Sequence, residues 1–141
     1  MSDTREVQRR YNGIQSVLKV AGSEGCHFLV LCTIVEEYTG KPLDLIEAIR
    51  VAQKKNWISN DFYVLNDGTP FLQYFTGIKW TRKEVDKLPD IRDNDYTEAK
   101  WYNPRTGKTH FRRRYVDTLL YSTTVSEGYI KSYYIYTAEV V

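Results

Sequence analysis

Sulfur and long apolar segments are scarce in this sequence. Its 141 residues include one methionine and two cysteines, too few cysteines for a disulfide framework. Cys26 and Cys32 would lie about 9 Å apart along a shared helix, too far for a bridge. No apolar run approaches the roughly 18 residues of a membrane-spanning helix, and the charged segment 1–13 lacks the apolar region of a secretory signal. Two free thiols and no predicted membrane contact indicate a cytoplasmic protein.

Motifs that bind metals, phosphates or cofactors are also missing. Two histidines and two distant cysteines match no zinc spacing, and GxxxxGK does not occur. We therefore predict no cofactor and no metal. A formal net charge of +2 is close to balance, whereas a general nucleic-acid surface would carry more positive charge.

The composition is that of a globular protein rich in aromatic side chains. Apolar residues make up 42% and charged residues 27% of the chain, which also has 12 tyrosines and 3 tryptophans. Tyrosine favours half-buried strands, where the ring packs and the hydroxyl stays hydrated. The length fits one domain over residues 1–141.

Helical patterns come first along the chain and strand patterns follow. Residues 2–12, 26–38, 42–56 and 69–76 are predicted helices, whereas IKWTRKEV, EAKWY, KTHFRRRY, VDTLLYSTTV and YIKSYYIYTAEV are predicted strands. Segment 26–38 is apolar around nearly its whole circumference, so it should be buried on most sides. The predicted fold class is α+β, with a buried central helix packed on a C-terminal antiparallel sheet.

Cys26 follows a glycine and begins this central helix. A thiol in the first turn meets the positive end of the helix dipole and unpaired backbone N–H groups, and both favour the reactive thiolate. A nucleophilic cysteine also needs an imidazole base and a group that orients it. Consecutive helical residues point about 100° apart, so His27 is a poor base for Cys26. His110 and then Asp117 are the remaining candidates.

This order resembles papain-like cysteine peptidases, particularly the small bacteriocin-leader-processing branch and related phage and plasmid domains. The similar segments are GCHFLVLCTIVEEYTGK for the helix, THF for the histidine strand and VDTLLYSTTV for the acidic strand. The resemblance implies a papain-like fold and a peptidase or amide or acyl hydrolase. It also implies Cys26 as nucleophile, His110 as base and acid, and Asp117 as the group that orients His110.

Two features of the sequence depart from this pattern. Such peptidases place a glutamine a few residues before the cysteine, but the nearest one here is Gln15, eleven positions upstream. Gln15 and Ser23 are therefore the candidates for supporting an oxyanion. His110 and Asp117 are an odd number of positions apart, so a continuous strand would turn them to opposite faces.

A second hypothesis is a catalytically inactive relative that binds a host protein instead of a peptide or protein substrate. The third is a weak nucleic-acid binder that uses Arg112, Arg113 and Arg114, although strand alternation would divide these arginines between two faces. Pairs Glu36-Glu37 and Lys54-Lys55 are predicted to be solvated helix ends. His27 is predicted to be a surface or capping residue, and the oligomeric state is left open.

Overall fold

The computed structural model describes residues 25–113 and 128–139. These residues form three helices and a four-stranded antiparallel sheet, which confirms the predicted α+β class. The elements are α1 Cys26–Thr39, α2 Leu45–Lys54, α3 Thr69–Thr76, β1 Lys79–Val85, β2 Asp95–Asn103, β3 Lys108–Arg113 and β4 Tyr129–Glu139.

Helix α1 lies in the middle of the core, as its apolar circumference predicts. Phe28, Leu29, Val30 and Ile34 are fully buried although they point in different directions around the helix. The helix ends where Gly40 takes a left-handed backbone conformation, with φ of 68°. Its N-cap is Gly25, which has no side chain to accept a capping hydrogen bond. Ser23 and Glu24, which precede this glycine, lie outside the described residues.

Local sequence signals set the bounds of the other two helices. The Asp44 carboxyl group caps α2 by accepting a hydrogen bond from the Glu47 backbone N–H at 3.2 Å. Pro70 stands in the first turn of α3, and Gly77 ends that helix in a left-handed conformation. The bounds of α3 are those predicted from the sequence, whereas α2 begins three residues later and ends two residues earlier than predicted.

The strand order of the sheet is β1-β4-β2-β3. Strands β2 and β3 form a hairpin around residues 104–107, as the NPRTG turn predicts. The last described strand, β4, lies between β1 and β2 and pairs with both, with an irregularity at Lys100 and Trp101. Helix α1 packs on the sheet so that its first residue reaches β3.

The predicted solvation of Glu36 and Glu37 is wrong. Glu36 is 1% exposed, and its carboxyl group accepts a hydrogen bond from the Leu43 backbone N–H. Glu37 accepts a 2.7 Å hydrogen bond from Arg113 Nη1, while Arg113 Nε donates to the Thr97 carbonyl. Both carboxyl groups therefore accept hydrogen bonds from protein donors instead of water. The ion pair between Glu37 and Arg113 also joins α1 to the edge of the sheet.

Several predictions fall on residues outside the described part of the chain. These are the helix over 2–12, Arg114 and the strand over 116–125. In the described ranges, no helix is long and apolar enough to cross a membrane.

Candidate functional site

Cys26 occupies the first position of α1, as predicted, and its side chain is 7% exposed. Its sulfur accepts a hydrogen bond from the backbone N–H of Phe111 in β3, with an N-to-Sγ distance of 3.4 Å. This contact joins the start of the helix to an edge strand of the described sheet. The thiol therefore has a structural partner in the β3 backbone.

His110 is the residue before Phe111, but the two side chains occupy different faces of β3. The Phe111 ring lies 4.5 Å from the His27 ring and stacks parallel to Tyr134, on the face that meets α1. Alternation turns His110 to the opposite face, where Trp101 is its partner in register. Strand alternation thus places Phe111 on the face of β3 that meets α1, and the predicted pairing of His110 with Cys26 stays a prediction.

The other predicted site residues cannot be placed relative to Cys26. Asp117, Gln15 and Ser23 all lie outside the described residues. The structure therefore places two of the five candidates, on α1 and on β3.

The imidazole that accompanies Cys26 is that of His27. Its Nδ1 lies 2.5 Å from Glu98 Oε2, and the Tyr136 hydroxyl donates to Glu98 Oε1 at 2.8 Å. The Glu98 side chain is 0% exposed and that of His27 is 15% exposed. A buried carboxyl group needs such partners because isolation in an apolar core would cost several kcal/mol. His27 is thus part of a polar network, and its prediction as a surface or capping residue is wrong.

The sequence did not point to Glu98 as a site residue, because the strand pattern around it predicts a side chain that faces solvent. On a strand, Glu98 shares a face with Tyr96 and Lys100, while Thr97 and Ala99 share the other. That pattern is typical of a solvated face carrying Glu98. In the structure Ala99 and Glu98 are both fully buried. Both faces of β2 are therefore covered, and the alternation of polar and apolar residues does not indicate which face is buried.

Burial raises the pKa of two groups, Tyr136 in this network and Cys32 farther along α1. Burial and the nearby Glu98 raise the pKa of Tyr136 well above its usual value, so this hydroxyl remains a donor. Burial, and secondarily the charge of Glu36, raises the pKa of Cys32 well above that of an ordinary thiol. Cys32 is fully buried, as predicted for a core residue, and both described cysteines are free thiols.

Cys26 and His27 line a pocket of about 670 Å³, a size typical of ligand sites. Its wall combines aromatic rings, two cations and small polar groups: Phe62, Tyr63, Val64, Asn66, Arg82, Lys108, Thr109, Phe111 and Tyr134. His110 is not part of this lining. In the described part of the chain, no group of three or more His, Cys, Asp or Glu residues is arranged to hold a metal ion.

The loop on one side of the pocket is held in a strained conformation. Phe62 is 6% exposed and has a φ of 68°, a left-handed conformation that costs a bulky residue about 1–2 kcal/mol. Ser59 closes the loop, because its hydroxyl accepts hydrogen bonds from the backbone N–H groups of Asp61 and Tyr63. Retained strain of this kind is characteristic of binding sites.

Comparison with protein-family models, with curated proteins and with solved structures gives no significant match to this chain. The resemblance to papain-like peptidases therefore stays a prediction. What the structure itself offers is a pocket that contains a thiol, a carboxyl-bound imidazole, aromatic walls and two cations.

Proposed function

We propose that the chain is a binding protein that holds a peptide segment in the Cys26 pocket without cleaving it. The observation that supports this proposal is the preformed aromatic and polar pocket, in which the Cys26 sulfur accepts a backbone hydrogen bond from Phe111. Hydrophobic walls with a few placed polar groups are the usual composition of a binding site. The strained, closed loop around Phe62 adds a wall that is already organised before a ligand arrives.

The orientation of His110 favours binding over cleavage. A cysteine peptidase of the predicted type needs an imidazole within hydrogen-bond reach of the thiol. Here the backbone of β3 meets the sulfur, while the His110 side chain belongs to the other face of that strand. The proposal thus corresponds to the second hypothesis from the sequence, an inactive relative that binds a protein.

The test is binding of a synthetic panel of short peptides with varied sequences, followed by amide chemical shifts in nuclear magnetic resonance spectra. We expect shifts to concentrate on pocket residues. Thr109→Arg should fill the pocket and weaken binding at least tenfold, because Thr109 is exposed and lines it. Thr81→Arg is the matched control, since Thr81 is exposed on the face of β1 opposite to Arg82. Binding that is unchanged by Thr109→Arg, or no binding by any peptide, would refute the proposal.

A thiol-dependent amide or acyl hydrolase is the second candidate, and one specific observation favours it. Cys26 and His27 share the pocket, and Glu98 holds the His27 imidazole by Nδ1. Such an enzyme would form a covalent acyl-cysteine, visible by mass spectrometry with an activated ester substrate. Acylation at Cys26 that disappears in Cys26→Ala and falls sharply in His27→Gln would replace the binding proposal with this one.

A further inference from the structure

We infer that the pocket takes the C-terminal residue of a peptide, with its free carboxylate at Arg82 and an apolar last side chain against Tyr134 and Phe111. This inference rests on the proposed binding function and specifies its ligand. It concerns the charge and shape of the pocket wall, and is independent of whether Cys26 reacts.

The charge of the lining is one-sided. Arg82 and Lys108 contribute two cations, whereas no lining residue carries a carboxyl group. Across residues 25–113 and 128–139, no carboxyl oxygen lies within salt-bridge distance of either cation. A partly buried guanidinium in this situation would gain two charge-assisted hydrogen bonds from a bound carboxylate.

The charge of Arg82 lowers the pKa of a nearby acidic group, Asp67. Partial burial acts against it, but hydrogen bonds from Thr69 and the charge of Arg82 lower the pKa of Asp67. Its Oδ1 atom already accepts hydrogen bonds from the Thr69 backbone N–H at 2.9 Å and the Thr69 hydroxyl at 2.6 Å. Asp67 therefore stays engaged in its own turn. The Arg82 side chain also interacts with the Tyr136 hydroxyl, and its five N–H donors exceed what that one contact uses.

Aromatic rings adjoin the cation. The Arg82 guanidinium carbon lies 4.3 Å from the centroid of the Tyr134 ring, and the Tyr134 and Phe111 rings are stacked with an angle of 12° between their planes. Stacking holds the guanidinium in one orientation, which lowers the entropy lost when it binds a planar anion. The stacked pair offers an apolar surface beside the same cation.

A chain terminus fits these features better than an internal acidic side chain. The last residue of a peptide carries its carboxylate and its side chain on one Cα atom, so both can enter a single pocket of about 670 Å³. An internal aspartate or glutamate would require the chain to leave the pocket in two directions.

The experiment compares two fluorescein-labelled peptides, Gly-Ser-Gly-Leu-Phe with a free C-terminal carboxylate and the same peptide with a C-terminal amide. We expect the carboxylate form to bind at least about tenfold more tightly in fluorescence anisotropy, as a charge-assisted pair predicts. The preference should shrink as salt increases. Arg82→Gln should remove the preference, whereas Lys83→Gln should retain it, because Lys83 is exposed on the opposite face of β1.

The outcomes separate this inference from the function on which it rests. Equal affinity for the two peptides, with both lost in Thr109→Arg, would overturn the carboxylate inference and leave the binding proposal standing. A preference for the carboxylate that survives Arg82→Gln would also overturn it. Failure of both peptides and of the whole peptide panel would overturn the binding proposal itself.

Discussion

Removing the His27 imidazole should destabilise the protein, because it deprives the buried Glu98 carboxyl group of one of its two hydrogen-bond partners. In His27→Leu, the fully buried Glu98 side chain keeps the Tyr136 hydroxyl but loses its other partner. Removing one partner of a buried pair costs about 3–5 kcal/mol when it leaves a charged carboxylate behind. Since the His27 side chain is 15% exposed, we expect the lower end of that range, a loss of about 3 kcal/mol.

The double variant His27→Leu, Glu98→Gln isolates the cause. A glutamine at position 98 keeps a carbonyl acceptor for the Tyr136 hydroxyl and removes the unpaired charge. We expect the double variant to be more stable than His27→Leu alone by about 1–2 kcal/mol, because an isolated buried charge costs more than a buried amide. Urea unfolding followed by tryptophan fluorescence measures all four free energies of unfolding. Additive losses in the cycle would refute the reasoning, since they would mean that His27 and Glu98 do not interact.

The remaining predictions concern two glycines, a tyrosine and the two thiols. Gly68→Ala should destabilise the fold by about 2–3 kcal/mol, because φ is +83° and the new Cβ would lie 2.9 Å from Leu31 Cδ2. Gly77 also has a positive φ of +76°, but a new Cβ there would meet no atom within 4 Å, so Gly77→Ala should cost only the backbone strain of about 1–2 kcal/mol. Equal losses of stability for the two variants in thermal unfolding would contradict this. The raised pKa of Tyr136 means that the unfolded chain releases this proton first, so stability should fall as pH rises above about 10. Tyr136→Phe should reduce that slope in alkaline unfolding curves, and an unchanged slope would argue against the shift. Iodoacetamide should label Cys32 only after unfolding, because burial raises the pKa of this thiol. Mass spectrometry of the folded protein that finds Cys32 labelled as fast as Cys26 would disprove the burial of Cys32.

The helices and the hairpin could be predicted because their signals are local. Asp44 and Pro70 mark helix starts, Gly40 and Gly77 mark helix ends, and residues 103–107 have turn chemistry. Each signal acts within a few residues of the chain, through a backbone conformation or a single hydrogen bond. The buried position of α1 was also predictable, since its apolar side chains leave no polar face.

The partners of the site residues could not be predicted in the same way. Strand β4 enters the sheet between β1 and β2, and it is this insertion that carries Tyr136 to Glu98. Glu98 then meets His27 from 71 positions away. The sequence contains no signal for either approach, because the identity of the neighbouring strand depends on the packing of the whole domain.

The orientation of His110 follows from a competition between adjacent residues. Only one of His110 and Phe111 can face α1, and a one-residue shift in register exchanges them. Turning Phe111 outward would separate its ring from Tyr134 and His27. Because Phe111 is partly buried, the loss would be below the roughly 1.5–3 kcal/mol of a fully buried side chain. An imidazole would bury less apolar surface than a phenyl ring, so the register that turns Phe111 toward α1 is the more stable one. In this chain Phe111 therefore occupies the position of β3 that faces the start of α1, and the pocket has an aromatic wall beside Cys26.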